Sequence, residues 1–275
     1  MDIIQESLSK IQTVRITEMA QLQSLIVESE YNPHVKHYRS SCLYRGLPNI
    51  AYELKTSLQR NCDAAANKLE KSILRNFAKY AATDQPSILN SDWEKMVIGQ
   101  HHGLPTRLLD WTYSPLVALH FATSGENLSE MDQHDGVVWK INIEEIDGLL
   151  PAKYRDVLDA ESAYLYTIDM LERLAKSMDD YDKDMSDQAL VLLEPPSIDQ
   201  RIINQYSYFS ITPQKVSCME YFLASNTHKT VRYVLDKSLR WHIRDMLDQA
   251  NMNERTMYPG LDGLTLWLKR HYFVR

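Results

Sequence analysis

The stretch QHHGLPTRLLDWTYSPLVALHFA, residues 100–122, constrains this chain more than any other. Gly103 and Pro105 impose a turn, since glycine tolerates positive φ and proline fixes φ near one value. Residues 106–111 alternate loosely between polar and apolar, which predicts a short strand. Ser114 is a good helix N-cap and Pro115 suits the first helical position. The helix that follows is strongly apolar, with Leu116, Leu119, His120 and Thr123 on one face and Val117 and Phe121 flanking it. The result is a strand–turn–helix corner carrying two histidines, an arginine, an aspartate and a Thr-Tyr-Ser turn. Such a cluster is either a satisfied buried polar corner or a reactive site, and physics alone leaves both open.

Composition narrows the function classes. The chain has 275 residues, a hydrophobic fraction of 44%, a charged fraction of 24% and a formal net charge of −7. Net acidity argues against broad electrostatic capture of nucleic acid. Cys42, Cys62 and Cys218 fit no metal or disulfide framework, so a reducing cytoplasm is the expected location. The opening MDIIQESLSK lacks the pattern of a signal peptide, and no apolar run is long enough to cross a bilayer. With eight glycines and neither a GxGxxG nor a Walker pattern, a glycine-rich phosphate loop is not expected.

Along the chain, strands are expected at 11–16, 37–47, 136–143, 189–193, 205–211 and 230–235. Helices are expected from Thr17 to about Val27, at 50–59, at 63–82, from Ser91 to His101, at 236–249 and at the C-terminus after a Pro259-Gly260 turn. Residues 31–36 form a turn region around Asn32-Pro33. In helix 63–82 the predicted inward stripe is Ala66, Leu69, Ile73, Phe77 and Tyr80. Residues 146–188 resemble an insertion, with a helix at roughly 161–178 followed by the acidic run DDYDKDMSD. Irregular mixing of strands and helices predicts an α+β fold and a single domain over 1–275.

Three stretches together resemble the FRG-domain family, whose name comes from an aromatic-Arg-Gly motif. They are Tyr44-Arg45-Gly46, the long 100–122 stretch, and Arg201-Ile202 with Gln205 and Phe209. A weaker fourth match is Tyr258-Pro259-Gly260-Leu261-Asp262-Gly263-Leu264. The order of these motifs is similar to that of ADP-ribosyltransferases. The resemblance implies a split β-sheet core with surrounding helices and NAD as substrate. The counterparts are Arg45-Gly46, then Thr112-Tyr113-Ser114 before Ala118-Leu119-His120-Phe121, then Asn204-Gln205-Tyr206. The last departs from the Asn-Glu-Tyr strand of poly-ADP-ribose polymerases by placing Gln where the family carries Glu.

Cleaving the nicotinamide–ribose bond passes through an oxocarbenium-like transition state, so a site must hold the pyrophosphate, grip nicotinamide and stabilise positive charge. On the resemblance, Arg45 holds phosphate or ribose, the Gly46 backbone approaches the carboxamide, and Ser114 bonds the ribose or braces Arg45. Tyr113, Tyr206 or Tyr208 stacks on the ring, with Tyr44, His101, Arg107 and Thr112 lining the cofactor site. Gln205 bonds a ribose hydroxyl but cannot act as a base, which leaves His101, His102 or Asp110 for that role. Arg107 and Asp110 are spaced to form an internal pair as readily as a catalytic one.

The expected activity is transfer of ADP-ribose to a macromolecule by an intracellular toxin or defence effector, with RNA or single-stranded nucleic acid favoured over protein as acceptor. A neutralising antitoxin-like partner would then exist, with the acidic run as its docking surface, and no membrane is involved. The competing readings are a non-catalytic nucleotide-sensing module and a metal-independent nuclease using His101, His102 and Arg107. Adjacent histidines on a strand would point to opposite sides and lack a third ligand, so no metal site is expected. Ser114 sits in no GxSxG elbow, which weighs against a hydrolase triad.

Overall fold

A computed structural model describes residues 3–27, 30–33, 36–83, 91–125 and 127–274. The fold is α+β. Nine strands are described: β1 (Gln12–Ile16), β2 (Glu30–Asn32), β3 (His37–Arg39), β4 (Cys42–Leu47), β5 (Leu108–Thr112), β6 (Gly136–Asn142), β7 (Val191–Leu193), β8 (Ser207–Ile211) and β9 (Val231–Leu235). β2 and β3 form a separate antiparallel ribbon. The other seven make one sheet in the order β1-β9-β6-β4-β5-β8-β7. Only β1 and β9 run parallel within it.

Pairing along the sheet is uneven. β4 pairs with β6 from Cys42↔Asn142 to Leu47↔Val137, and β5 pairs with β8 along its whole length. Between β4 and β5 one pair, Tyr44↔Thr112, is made, and beyond it the strands diverge. The core follows the same division. On one face a single apolar cluster runs beneath both halves, joining Leu43, Leu47 and Trp139 to Leu109, Trp111 and Leu192. On the other face there are two clusters. One gathers Tyr44, Val138 and Tyr233 against the helix Pro115–Ala122, and the other gathers Leu108, Phe209 and Ile211 against the helix Asp92–His101. The sheet is therefore continuous below and opened above, between β4 and β5.

Small residues set the position of the helix Pro115–Ala122. A Cβ on Gly46 would lie 1.9 Å from the Ala118 carbonyl oxygen, and one on Gly136 would lie 2.5 Å from that of Ala122. Two glycines on adjacent strands thus face Ala118 and Ala122, one turn apart, and helix and sheet touch backbone to backbone. Ser114 caps this helix by accepting the Val117 N–H at 3.4 Å, and Pro115 opens it, as the sequence predicts.

Several expectations shift. The 37–47 stretch is two strands, and the first of them pairs with Glu30–Asn32, which overlaps the expected 31–36 turn; residues 28, 29, 34 and 35 lie outside the described residues. The expected helix at 50–59 is instead Ser57–Cys62, capped by Thr56, which accepts the Gln59 N–H. In the helix Ala66–Ala81 the buried positions are Ala66, Glu70, Leu74 and Ala78, one residue displaced from the predicted stripe. Leu69 and Tyr80 are exposed. The inward residue that spoils the apolar reading is Glu70, which enters the core because a cation waits there.

Residues 146–188 form helices at Ala152–Glu161, Ile168–Leu174 and Met178–Met185 rather than one helix at 161–178. They supply Tyr154, Tyr166, Leu171, Met178, Tyr181 and Met185 to the same cluster as Trp93 and Leu108, so this segment closes one end of the core. Its acidic run is largely engaged within the molecule. Asp179 pairs with Lys71 at 2.6 Å, Asp182 with Arg107 at 2.7 Å and Asp184 with Lys153 at 2.6 Å.

Candidate functional site

The opening between β4 and β5 holds a cavity of about 230 Å³. The four motif stretches meet there. β4 contributes Tyr44, Arg45 and Gly46; β5 contributes Asp110, Trp111 and Thr112; Phe121 comes from the helix, and Arg201, Gln205 and Ser207 close the far side. The fourth stretch stands behind Arg201, whose guanidinium lies 5.3 Å from the ring centroid of Tyr258.

Arg45 spans the gap where strand pairing stops. Its Nη1 donates to the Asp110 carbonyl at 2.6 Å and lies 3.5 Å from that residue's carboxylate. Its Nε is buried without a hydrogen-bond partner. Burial pulls the Arg45 pKa below its ordinary value, Asp110 partly compensates, and the neighbouring Arg60 lowers it further. An arginine at a cavity wall with an unused buried donor is poised for an anion or a hydroxyl-rich ligand.

Asp110 is the one carboxylate among the residues lining this cavity. Gln100 fixes it, donating from Nε2 to both carboxylate oxygens at 3.1 Å. Gln100 is itself oriented by Thr106, whose hydroxyl donates to Oε1 at 2.6 Å. A relay Thr106–Gln100–Asp110–Arg45 therefore runs from the helix end to β4. It explains why the stretch begins at Gln100.

The intervening residues His101, His102 and Gly103 end the helix rather than lie on a strand. Leu104 N–H bonds the Gly99 carbonyl at 2.8 Å and Gly103 N–H the Gln100 carbonyl at 3.0 Å, a Schellman stop with Gly103 at φ 82°. His101 Nε2 lies 2.6 Å from Asp199, the cap of the helix Gln200–Gln205, and tethers that helix to the corner. His102 is exposed. Neither is among the residues lining the cavity.

Arg107 is also elsewhere. It does not pair with Asp110 but is buried between Glu70 and Asp182, with Nε donating to Glu70 at 2.6 Å and Nη1 to Asp182 at 2.7 Å. Burial works against its charge, but the two carboxylates outweigh that and raise its pKa. Arg107 lies just before β5, held by the helices Ala66–Ala81 and Met178–Met185, whereas Asp110 lies within β5 and lines the opening.

Ser114 spends its hydroxyl on the cap, and Gly46 faces the helix, so close packing rather than ligand approach is what demands a glycine there. The Thr112 hydroxyl donates to the Gln205 carbonyl at 2.7 Å and accepts the Ser114 N–H at 3.1 Å, which locks β5 to the far wall. Tyr113 donates to the Ser40 carbonyl at 2.6 Å, outside the cavity lining. Tyr206 is exposed at φ 45°, and Tyr208 is half-buried.

Gln205 reaches the cavity, but from the last turn of the helix Gln200–Gln205; the strand begins at Ser207. Its Nε2 donates to the Met257 carbonyl at 3.0 Å. A glutamate here would have no N–H for that carbonyl, so the amide is what this architecture requires. Asn204 donates likewise to the Thr256 carbonyl at 2.7 Å, and together the two amides bind the third motif stretch to the fourth.

Gln100, Phe121, Arg201 and Ser207 were given no site role by sequence reasoning, although Gln100, Phe121 and Arg201 lie inside the quoted stretches. Among the described residues no cluster of histidine, cysteine and carboxylate suited to a metal ion is present. Among the described residues no helix is long and apolar enough to cross a membrane. Comparison of the chain with curated proteins and with solved structures returns no match. Residues 40–131, which contain β4, β5 and the helix Pro115–Ala122, match the family model of the FRG domain. The match to the FRG domain thus lies over residues 40–131, and Tyr44, Arg45, Gly46, Asp110, Trp111, Thr112 and Phe121 within it line the β4/β5 opening.

Proposed function

We propose that the β4/β5 opening binds NAD and that the protein transfers ADP-ribose from it to a macromolecular acceptor. The observation that carries this reading is Arg45, a half-buried arginine whose buried Nε–H is unused, set beside one fixed carboxylate in a cavity of about 230 Å³. The motif order of the chain, similar to that of ADP-ribosyltransferases, supports the choice of NAD.

In this reading Arg45 holds ribose or phosphate oxygen and Gln205 bonds a ribose hydroxyl with the Oε1 that its Met257 contact leaves over. The nicotinamide–ribose bond breaks with its electron pair leaving on nicotinamide, while the acceptor nucleophile bonds the ribose carbon. Asp110 accepts the acceptor's proton. It is the candidate base in place, since it lines the cavity and neither His101 nor His102 does. Its negative charge also favours the oxocarbenium-like transition state.

The test uses labelled NAD with separate pools of RNA, single-stranded DNA and cell protein, following free nicotinamide and label transfer together. Transfer to one pool that falls at least about a hundredfold in Asp110→Asn supports the reading, that being the scale of general-base contributions. Binding of NAD without nicotinamide release in any pool would replace it by a nucleotide-sensing module, for which the uncharged Gln205 already speaks. Cleavage of nucleic acid without NAD would replace it by a nuclease.

A further inference from the structure

The cavity at Arg45 adjoins a second chamber of about 610 Å³, and the two share Arg45, Gly46 and Phe121 as a common wall. We propose that this outer chamber is a phosphate site, in which Arg45 and Arg60 clamp the phosphates of a nucleotide ligand. This deepens the transferase reading in one respect only, by giving the ligand of the inner cavity a place for its charge. The phosphate site itself needs no bond cleavage.

The protein carries a net charge of −7, yet this chamber gathers Arg45, Arg60 and Lys55. Glu53, the one carboxylate among the residues lining it, is already paired with Lys55 at 2.7 Å. Two guanidinium groups thus line one chamber, and Asp110, 3.5 Å from Arg45 on the inner side, is the carboxylate set against them. They are near enough for Arg60 to depress the Arg45 pKa, a secondary contribution behind burial. Like charges kept together cost free energy unless a ligand supplies the opposite charge.

The geometry agrees. Arg60 is exposed and its Nη1 donates to the Lys55 carbonyl, which orients the fork while leaving other N–H groups unassigned. Arg45 brings the buried Nε–H with no partner. Paired forks of this kind match the oxygens of phosphate or diphosphate. Tyr52, 57% exposed on the same chamber, offers a flat face for a base. Two sources present this chemistry: the diphosphate of a dinucleotide, or a backbone phosphate of an acceptor strand. The inner cavity opening onto the same arginine suits either.

Calorimetric titration of the full chain with ADP, and separately with a short single-stranded oligoribonucleotide, tests the site. Arg60→Ala is predicted to weaken the relevant probe at least tenfold, Arg60→Lys less, and Lys79→Ala, an exposed cation away from the chamber, within twofold of wild type. ADP as the responsive probe assigns the dinucleotide diphosphate; the oligonucleotide assigns the acceptor. Unchanged binding of both probes in Arg60→Ala, or no binding of either probe by wild type, overturns the proposal. NAD turnover that survives in Arg60→Ala with neither probe affected would remove the outer site and leave the transferase reading standing. ADP binding that depends on Arg60 in a protein that never releases nicotinamide would do the reverse.

Discussion

Arg45 lies on β4 and Arg107 immediately precedes β5, the two strands that border the opening, and the chain treats them in opposite ways. Arg107 is enclosed by Glu70 and Asp182, which gather the helices Ala66–Ala81 and Met178–Met185 around β5. Arg45 receives a carbonyl, a carboxylate at 3.5 Å and the company of another arginine, and one of its buried donors is left over. A closed ion cluster is bound up with folding; an incompletely answered cation is an arrangement that a ligand completes. Residue type does not separate the two. The supply of partners does.

The sharpest way to break the comparison is to delete each arginine. Arg107→Ala leaves Glu70 buried without its cation and is expected to cost about 3–5 kcal/mol, read as a lower urea midpoint. Arg45→Ala is expected to change stability by no more than about 1 kcal/mol, the net worth of a single hydrogen bond. Equal losses would mean that Arg45 is structural too.

Acid should divide the molecule along different lines. His120 is buried against Arg244, and burial followed by that cation pushes its pKa down to about 3. An unfolded histidine titrates near 6.5, so between these values the unfolded chain binds the extra proton. Stability from this source is complete above about pH 6.5 and is lost as pH falls toward 3. Glu254 is held down to about 2, where Arg270 and Arg244 overcome the effect of burial, and it adds a further loss below about pH 4.5. Asp147, pushed up to about 7 by burial and Glu144, works in the opposite sense, losing stability as pH rises from about 4 to 7. Melting temperatures across pH 3–8 should show a steeper acid slope in wild type than in His120→Gln. Identical slopes would remove His120 from this account.

Gly46→Ala tests whether that glycine serves packing. The added methyl meets the Ala118 carbonyl, so a loss of about 1–3 kcal/mol is expected from overpacking. An undisturbed melting temperature with lost ligand binding would return Gly46 to a ligand role. Ser114→Ala should lose about 1 kcal/mol, the usual worth of an N-cap, with transferase activity per folded molecule unchanged. A full loss of turnover in a folded Ser114→Ala protein would restore Ser114 to the chemistry.

These cases show what could be read from the sequence. Local grammar was legible. The Ser114-Pro115 helix start, the stop around Gly103, the helix from Ser91 to His101 and β6 are governed by neighbours within a few residues, and they stand close to where expected. Gathering the motifs at one opening was legible too, because the resemblance supplied their order. The roles of the individual polar residues were not. Glu70 lies 37 positions from Arg107, and Met257 lies 52 from Gln205. Without those partners in view, a core cation and a cleft cation look alike, and Glu70 reads as the solvent face of its helix. The amide at position 205 has the same explanation. It looked like the loss of a glutamate, whereas its N–H holds a carbonyl of the C-terminal motif.

The most direct test of the central claim is the thermal shift that NAD produces in wild type and in Arg45→Ala, measured on both proteins at the same ligand concentrations. A ligand that binds only the folded state raises the melting temperature in step with its occupancy. The account predicts an Arg45→Ala protein about as stable as wild type without ligand, with the NAD-induced rise abolished. A rise of equal size in both proteins would contradict it, and would make the Arg45 guanidinium at the β4/β5 opening a feature of folding rather than of binding.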